Sequence, residues 1–431
     1  MNSTIFALAS APGRAGVGVV RLSGPQAGVI AAKLTGALPV PRQAVLRRLR
    51  YNGAEIDHAL LLWFAAPHSF TGEDVAEFHI HGGRAVREAL FTALCDLGAR
   101  AAEPGEFSRR AVENGKLDLT RAEAVADLVD AETPAQLRQA LRQHDGVLAD
   151  LYEGWRARLI AALGRVEAAI DFSDDGVGES EFAAAQRAAS EIAGEIQIHM
   201  DDAGRGESLR EGLRLTILGP PNAGKSSLIN ALARRDVAIV SEAPGTTRDV
   251  IEMRLNLGGY LLHVADTAGV RETRDAIEAE GMRRALSHAA GGLTLLLLDG
   301  SLPDPRAGMP PDLPDPDIIV WNKADLGFQR EGLCISLKTG SGLAMLQAML
   351  QQKVQQRLDG GGAPLLTRPR HRQALSEALA ALRHGLEAPP DRAELLAEDL
   401  RLAMRAVGRI TGRVDVEELL DFVFRDFCIG K

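Results

Sequence analysis

Residues 213–233 read LRLTILGPPNAGKSSLINALA: an apolar β-rich run, a loop of Gly, Pro and Asn, and an apolar helical stretch follow one another without a gap. From Gly219 to Ser226 the loop fits G-x-x-x-x-G-K-[ST], in the strand-to-helix setting that gives this pattern its meaning. Glycine lets backbone N–H groups turn inward around phosphate oxygens, and the helix start adds its positive dipole end. Lys225 is placed to neutralise β/γ-phosphate charge and Ser226 to ligate Mg²⁺. Around this loop the strand-like LRLTILG, YLLHVAD, GLTLLLLDG and DIIVWNKAD alternate with helical segments. That grammar predicts a mainly parallel sheet with helices on both faces.

Three further segments stand in the order a guanine-nucleotide site needs. Asp266, Thr267, Ala268 and Gly269 close YLLHVA, setting the Asp266 carboxylate near Mg²⁺ and the Gly269 N–H near a γ-phosphate. Asn322, Lys323, Ala324 and Asp325 close DIIVW; the Asp325 carboxylate can accept from guanine N1–H and the exocyclic amine, a donor pair adenine lacks. Ser336, Leu337 and Lys338 fall where a third loop at the base edge belongs. Together these favour GTP over ATP. The expected contacts therefore include Asn222, Ala223, Gly224, Lys225, Ser226 and Ser227 of the first loop. They extend to Ser241, Glu242, Ala243, Pro244, Gly245, Thr246 and Thr247, where Thr247 is a candidate second Mg²⁺ hydroxyl on a loop that orders around the γ-phosphate. Val270 occupies the position where Ras-like enzymes carry a water-orienting Gln. An apolar side chain cannot polarise water, so help must come from elsewhere. Glu278, in the acidic stretch RETRDAIEAEG, is a candidate, a solvated helix charge being the alternative.

The flanks are different. Residues 1 to about 118 alternate β-rich runs (TIFALA, VGVVRL, HALLLWFA, DVAEFHI) with a helical REALFTALCDLGA, the pattern of a compact α+β domain. Thr120 with Glu123 reads as a capping box, and Thr133-Pro134 as a second helix start. Leu137, Leu141, Leu148, Leu151, Trp155, Leu159, Leu163, Val166 and Ile170 predict one long amphipathic helix that needs a partner. A further helix runs to about Asp202, and DAGRGESLREG reads as a linker. Helical periodicity resumes at Arg368, through Leu375, Leu379, Leu382 and Leu386, then Leu396, Leu400, Ala403 and Val407, and last Leu419, Leu420 and Val423. Helices on both sides of an α/β block predict its insertion into one discontinuous helical domain.

The 431 residues are 46% apolar and 25% charged, a soluble globular composition. A net charge of −9 lacks the global basic footprint of an autonomous nucleic-acid binder, so RNA contact must come from a local patch or a partner. Only 4% of residues are aromatic, which argues against a base-stacking surface. Cys95, Cys334 and Cys428 are too far apart to suggest a disulfide framework or a Cys-x-x-Cys metal site. No run reaches the ~20 apolar residues that span a bilayer, and no basic-then-apolar leader opens the chain, so a cytoplasmic protein is expected.

Over essentially its whole length the chain resembles the MnmE (TrmE) tRNA-modification GTPases. The segments that carry this are PGRAGVGVVRLSG, FTGEDVAEFHIHGG, PGEFSRRAVENGKLDLTRAEAV, the inserted nucleotide domain and the tail FCIGK. The resemblance implies four segments. Residues 1–118 form an N-terminal α+β tetrahydrofolate-binding and dimerisation domain, and 119–210 the first half of a helical domain. Residues 211–366 form an inserted Ras-like P-loop GTPase domain, and 367–431 the second helical half with the tail. It implies a homodimer acting with an FAD-dependent MnmG-family protein on tRNA. Together they would add an aminomethyl or carboxymethylaminomethyl group to C5 of the wobble uridine, the one-carbon unit coming from a 5-formyl or 5,10-methylene tetrahydrofolate. By motif position Arg21, Glu77, Lys116 and Lys431 would contact the folate. Cations suit its glutamate tail and a carboxylate suits the pterin N–H edge. The resemblance also implies activation by K⁺ when two GTPase domains pair, with Asn222, Thr246 and the backbone of Ser241 and Ala243 as an oxygen cage. Glu278 takes the place of the family's water-orienting glutamate, so the implied catalytic group is Glu278, Lys225, Thr247 and Gly269. Arg248 and Asp249 match the switch motif GTTRD, with Arg248 structural or coupling. Leu337 stands where Ala is usual.

Cys428 could act as a nucleophile near a one-carbon donor or simply seat the tail. Two other readings compete. A ribosome-associated regulatory GTPase would want a basic RNA module after the nucleotide domain, where acidic helices stand instead. A dimerising scaffold would leave FCIGK unexplained.

Overall fold

The computed structural model describes residues 3–171, 177–202, 204–234, 252–265, 292–307, 309, 315–359, 364–414, 420–421, 423–425, 427 and 430. The chain divides into two compact units, one of residues 1–126, 143–156 and 407–431, the other of 127–142 and 157–406.

The first unit holds a six-stranded sheet. Its strands are β1 (Ile5–Leu8), β2 (Ala15–Ser23), β3 (Val45–Tyr51), β4 (Ala54–Phe64), β5 (Val75–Gly82) and β6 (Arg100–Ala101), in the order β3-β4-β5-β2-β1-β6. Only β1 and β6 pair in parallel. Side chains alternate across a strand, and the sequence uses that alternation. Val20 and Leu22, Phe78 and Ile80, and Leu61 and Trp63 form one core with Ile30 and Leu34 of α1 (Ala27–Thr35) and Leu90 and Leu94 of α2 (Arg84–Asp96). Arg21, Glu77 and His79, in the intervening positions, fall on the opposite face. Sequence reading missed β3 because Arg47, Arg48 and Arg50 break its apolar pattern; an edge strand tolerates such charges.

Helix α3 (Glu106–Glu113) is fastened to this sheet by ions. The Arg110 guanidinium, 2% exposed, donates to Glu73 at 3.1 Å and to Glu106 at 2.9 Å, while the Ser23 hydroxyl donates to Glu73 at 2.7 Å. Burial alone would raise the Glu106 carboxyl; hydrogen bonds from Arg100, the Glu103 N–H and Arg110 hold it below the ordinary carboxylate range.

Three local expectations need correction. Helix α4 (Leu119–Asp130) is capped by Asp118 rather than by Thr120. Asp118 Oδ1 accepts from the N–H of Thr120 at 2.9 Å and of Arg121 at 3.1 Å, which leaves Thr120 and Glu123 buried inside the helix. The capping box belongs to Thr133 and Gln136, ahead of α5 (Pro134–His144): the Thr133 N–H donates to Gln136 Oε1 at 3.0 Å. The single long helix is broken. Between α5 and α6 (Val147–Asp171), Gly146 has φ +101°, and a Cβ there would lie 2.2 Å from the Arg121 guanidinium. Leu137 and Leu141 on α5 are each 45% exposed, whereas Leu148, Trp155, Leu159 and Val166 on α6 are buried as the stripe requires, with Leu151 and Leu163 half-buried and Ile170 at the helix end exposed.

The stretch read as a linker folds as α8 (Arg205–Glu211), which follows α7 (Val177–Met200). Asp202 turns the chain: its carboxylate accepts from the N–H of Gly204 at 3.0 Å and from Arg372 at 2.7 Å, and Leu209 is buried. The short, charged sequence conceals a helix whose apolar contribution is one leucine. Helices α11 (Pro369–Leu386) and α12 (Ala393–Thr411) bury Leu375, Leu379 and Leu382, and Leu396, Leu400, Ala403 and Val407, as their periodicity predicts.

The second sheet runs β12 (Leu333–Cys334), β11 (Ile318–Asn322), β10 (Leu293–Asp299), β7 (Leu213–Leu218), β9 (Tyr260–Ala265) and β8 (Glu252–Leu257) in spatial order. All neighbours are parallel except the β8–β9 hairpin at the edge. Near-continuous burial along β7 and β10 is what a strand covered on both faces needs. Helix α9 (Lys225–Leu232) starts after β7, and α10 (Leu343–Leu358) follows β12. With β9 on one side of β7 and β10 on the other, the connections leave β7 at a topological switch point, where open α/β sheets bind ligands. No helix among the described residues is long and apolar enough to cross a membrane.

Candidate functional site

The loop from Gly219 to Gly224 leaves β7 and wraps into α9. Gly219, Asn222 and Gly224 have φ of +153°, +60° and +103°, a run of left-handed conformations that turns backbone N–H groups toward one centre. The cradle has no room for side chains: a Cβ on Gly219 would lie 2.2 Å from the Leu297 carbonyl oxygen, and one on Gly224 2.6 Å from Asn322 Nδ2. Lys225, the first residue of α9, folds back over the loop and donates to the carbonyls of Gly219 at 2.7 Å and Pro220 at 3.0 Å. Ala223 is buried beneath it, while Ser226 and Ser227 are exposed in the first helical turn. Among the described residues neither the Asn222 amide nor the Ser226 hydroxyl has a hydrogen bond.

The base-edge segments are tied to this loop. Asn322, 4% exposed at the end of β11, donates from Nδ2 to the Ala223 carbonyl at 2.8 Å and accepts at Oδ1 from the Leu337 N–H at 3.3 Å. One amide thus clamps two loops on either side. Asp325 Oδ1 accepts from the Ser336 hydroxyl at 2.7 Å, and Ser336 Oγ accepts from the Thr339 N–H at 3.2 Å. Residue 337 contributes its backbone N–H to Asn322, while its side chain lies beside Gly224 and packs against the sheet core. Lys323, with φ +67°, pairs with Asp299 Oδ2 at 2.5 Å. Burial alone would raise the Asp299 carboxyl; the Lys323 ammonium and hydrogen bonds from Ser301 hold it below the ordinary range.

The structure therefore brings Asn222, Ala223, Gly224, Lys225, Ser226, Ser227, Asn322, Lys323, Asp325, Ser336, Leu337 and Lys338 to the ends of β7, β11 and β12 and the segments that follow them, all strands of one parallel array. Residues Ser241 to Asp249, with Thr246 and Thr247 among them, lie outside the described residues, as do Asp266 to Val270, Glu278, Leu419, Cys428 and Lys431. Sequence reading missed Asp299. Its one signal was an acidic residue ending the strand that pairs with β11.

A second group lies in the first unit, on the sheet face opposite α1 and α2. Arg21 on β2 and Glu77 on β5 are direct cross-strand partners, Nε to Oε1 2.9 Å. The Arg21 guanidinium also stands over the rings of Phe70 at 5.6 Å and Phe107 at 5.8 Å, residues that sequence reading did not single out because only tertiary packing joins them. His79 lies on the same face. Its Nε2 is 3.7 Å from Glu77 Oε2 and is buried without a hydrogen-bond partner. Lys116 is elsewhere engaged, donating to the Pro67 carbonyl at 2.8 Å. From the tail, Gly430 with φ +103° reaches the end of β1, so close that a Cβ would lie 2.4 Å from the Leu8 carbonyl oxygen.

Two family models cover nearly the whole chain. A family model described as the GTP-binding protein TrmE N-terminus fits residues 4–116, and one described as the MnmE helical domain fits residues 119–428. The chain belongs to the MnmE family. Relatives named tRNA modification GTPase MnmE include that of Paramagnetospirillum magneticum, 54% identical over 443 residues and covering 100% of both chains. That of Rhodospirillum rubrum is 53% identical over 453 residues and covers 99% of each. In this MnmE-family chain the nucleotide loop and the Arg21–Glu77 face lie in different units.

Proposed function

We propose that this chain is a GTP hydrolase that drives tRNA modification. The observation that carries the reading is the Asn322 clamp, which holds a phosphate cradle and a guanine-edge loop together in an MnmE-family chain. Lys225 exchanges its loop carbonyls for the β/γ-phosphates, and its charge opposes the negative charge of the reacting phosphoryl group. The Asp325 carboxylate, oriented by Ser336, accepts from guanine N1–H and the exocyclic amine. Ser226, with its hydroxyl uncommitted among the described residues, fits a Mg²⁺ ligand beside Thr247 and, indirectly, Asp266. Gly269 offers a backbone donor at the γ-phosphate and Glu278 orients the water. Residues 242, 244, 245, 267 and 268 complete the nucleotide contacts.

Asn222 stands exposed on the outer turn of the loop, and its side-chain oxygen fits one ligand of a K⁺ cage shared with Thr246 and the backbone of Ser241 and Ala243. A cation held there as two GTPase domains of a homodimer pair would supply positive charge to offset charge developing on the phosphoryl oxygens. The domain limits we propose are 1–118, 119–210, 211–366 and 367–431.

The Arg21–Glu77 face fits a tetrahydrofolate. A stacked guanidinium suits an anionic tail, a carboxylate suits a pterin N–H edge, and the orphaned His79 Nε2 wants a partner. Lys116 and Lys431 would add cations, and Cys428 belongs to the tail that Gly430 seats against β1. With an FAD-dependent MnmG-family partner in the cytoplasm, a folate held there would supply the one-carbon unit for C5 of the wobble uridine.

The test is GTP turnover in K⁺ against Na⁺ at equal ionic strength. Faster turnover in K⁺, with the difference abolished in Asn222→Lys, is expected; equal rates in both salts count against the cation.

A further inference from the structure

Lys323 is the one charged side chain between Asn322 and Asp325, and its ammonium is already held. Its Nζ lies 2.5 Å from Asp299 Oδ2, a carboxylate whose side chain is 7% exposed. The other oxygen of that carboxylate is fixed as well: Asp299 Oδ1 accepts from the Ser301 hydroxyl at 2.6 Å and from the Ser301 N–H at 3.0 Å. Asp299 and Asn322 are register partners at the ends of β10 and β11, and the Gly300 N–H donates to the Asn322 carbonyl at 3.1 Å. The loop after β10 is braced in turn. Arg330 donates to the carbonyls of Gly300 at 3.3 Å and Leu302 at 2.6 Å, and it stacks on Trp321 at 5.3 Å. A Cβ on Gly300 would lie 2.1 Å from the Phe328 ring, so the carboxylate sits on a tightly packed turn.

We infer that Asp299 is a positioning residue for guanine recognition, acting through Lys323. This rests on the guanine-nucleotide reading above and adds a residue to it. The lysine stem has four rotatable bonds and its ammonium is a compact, strongly hydrated charge, so an untethered Lys323 would sweep through solvent. Tethered at its tip by a buried carboxylate, the stem is held beside the loop that carries Asp325. It forms one fixed apolar wall where the purine plane must lie. The ordering cost of the side chain is met on folding, before nucleotide arrives.

The test is a double-mutant cycle on the full-length protein, with GDP affinity measured by titration of a fluorescent GDP analogue and displacement by GDP. Asp299→Asn keeps the shape and an acceptor for Ser301 while removing the charge. It is expected to weaken GDP binding about tenfold, which corresponds to about 1.4 kcal/mol. Lys323→Met keeps the stem and removes the ammonium. Because Asp299 acts only through that ammonium, the double variant should bind no more weakly than Lys323→Met alone. Asp299→Glu, which restores the charge, should recover most of the affinity. Should Asp299→Asn fold poorly, Ser301→Ala loosens the same carboxylate and is expected to weaken binding in the same direction. Additive losses in the double variant, or unchanged affinity in Asp299→Asn, would overturn the inference. Failure of the wild-type chain to bind GDP in preference to ADP would instead overturn the guanine reading itself.

Discussion

Arg21 and Glu77 face each other across β2 and β5 with 2.9 Å between Nε and Oε1, and the same guanidinium stands over two phenylalanine rings. A largely buried charge pair, with side chains 23% and 17% exposed, adds little net stability while intact, but removing one partner leaves the other charge uncompensated. Arg21→Ala should therefore lower the melting temperature and weaken binding of a formyl-tetrahydrofolate about tenfold or more, as loss of a charge-assisted hydrogen bond implies, while Arg21→Lys, which keeps the charge, should retain most of the stability. Calorimetric titration of the full-length chain measures it. A large loss of stability with unaltered binding would assign Arg21 to the scaffold.

The Asn322 amide satisfies two backbone groups on two different loops. Asn322→Ala strands the Ala223 carbonyl and the Leu337 N–H together. The expected cost is about 2 kcal/mol of stability in the nucleotide-free protein, read from urea denaturation, with a larger loss of GDP affinity than of stability.

Gly146 separates two helices that the apolar pattern alone would fuse. Gly146→Ala must accept a left-handed backbone and displace the Arg121 guanidinium, so a destabilisation of about 1–3 kcal/mol is expected. Thermal denaturation followed by circular dichroism distinguishes this from the stabilisation expected if the two helices could join.

His199, near the end of α7, titrates far from its usual range. Burial pushes its imidazole down to about 4, with Arg372 adding to the effect and Asp202 opposing it. An unfolded histidine titrates at about 6.5, so between these values the unfolded chain binds the extra proton. The contribution is present above pH ~6.5 and is lost as pH falls toward 4. Between pH 6.5 and 5 the protein should lose about 1–2 kcal/mol of stability, and His199→Gln should flatten that slope. Urea midpoints at several pH values measure it.

Much of this was legible in order and spacing. The phosphate loop reads directly because backbone geometry demands Gly219 and Gly224, and the buried stripes of α6, α11 and α12 read directly because a helix repeats every 3.6 residues. Other features were not legible, for identifiable reasons. The edge strand β3 carries arginines at positions where a central strand could not. The α8 helix rests on Leu209 and the Asp202 turn rather than on a periodic pattern. Asp118 displaced Thr120 as the cap because both residues are good caps and only the backbone path decides between them. Asp299, Phe70 and Phe107 became visible only when strand register and packing joined residues distant in the chain.

The central claim is that nucleotide chemistry at Lys225 drives modification of tRNA. Mass analysis of wobble nucleosides tests it most directly, in a strain lacking its own copy of this protein and complemented with either wild-type chain or Lys225→Ala. The expected result is 5-substituted wobble uridine with the wild-type chain and unmodified uridine with Lys225→Ala present at equal abundance. Full modification with Lys225→Ala, or none with the wild-type chain, would contradict the account.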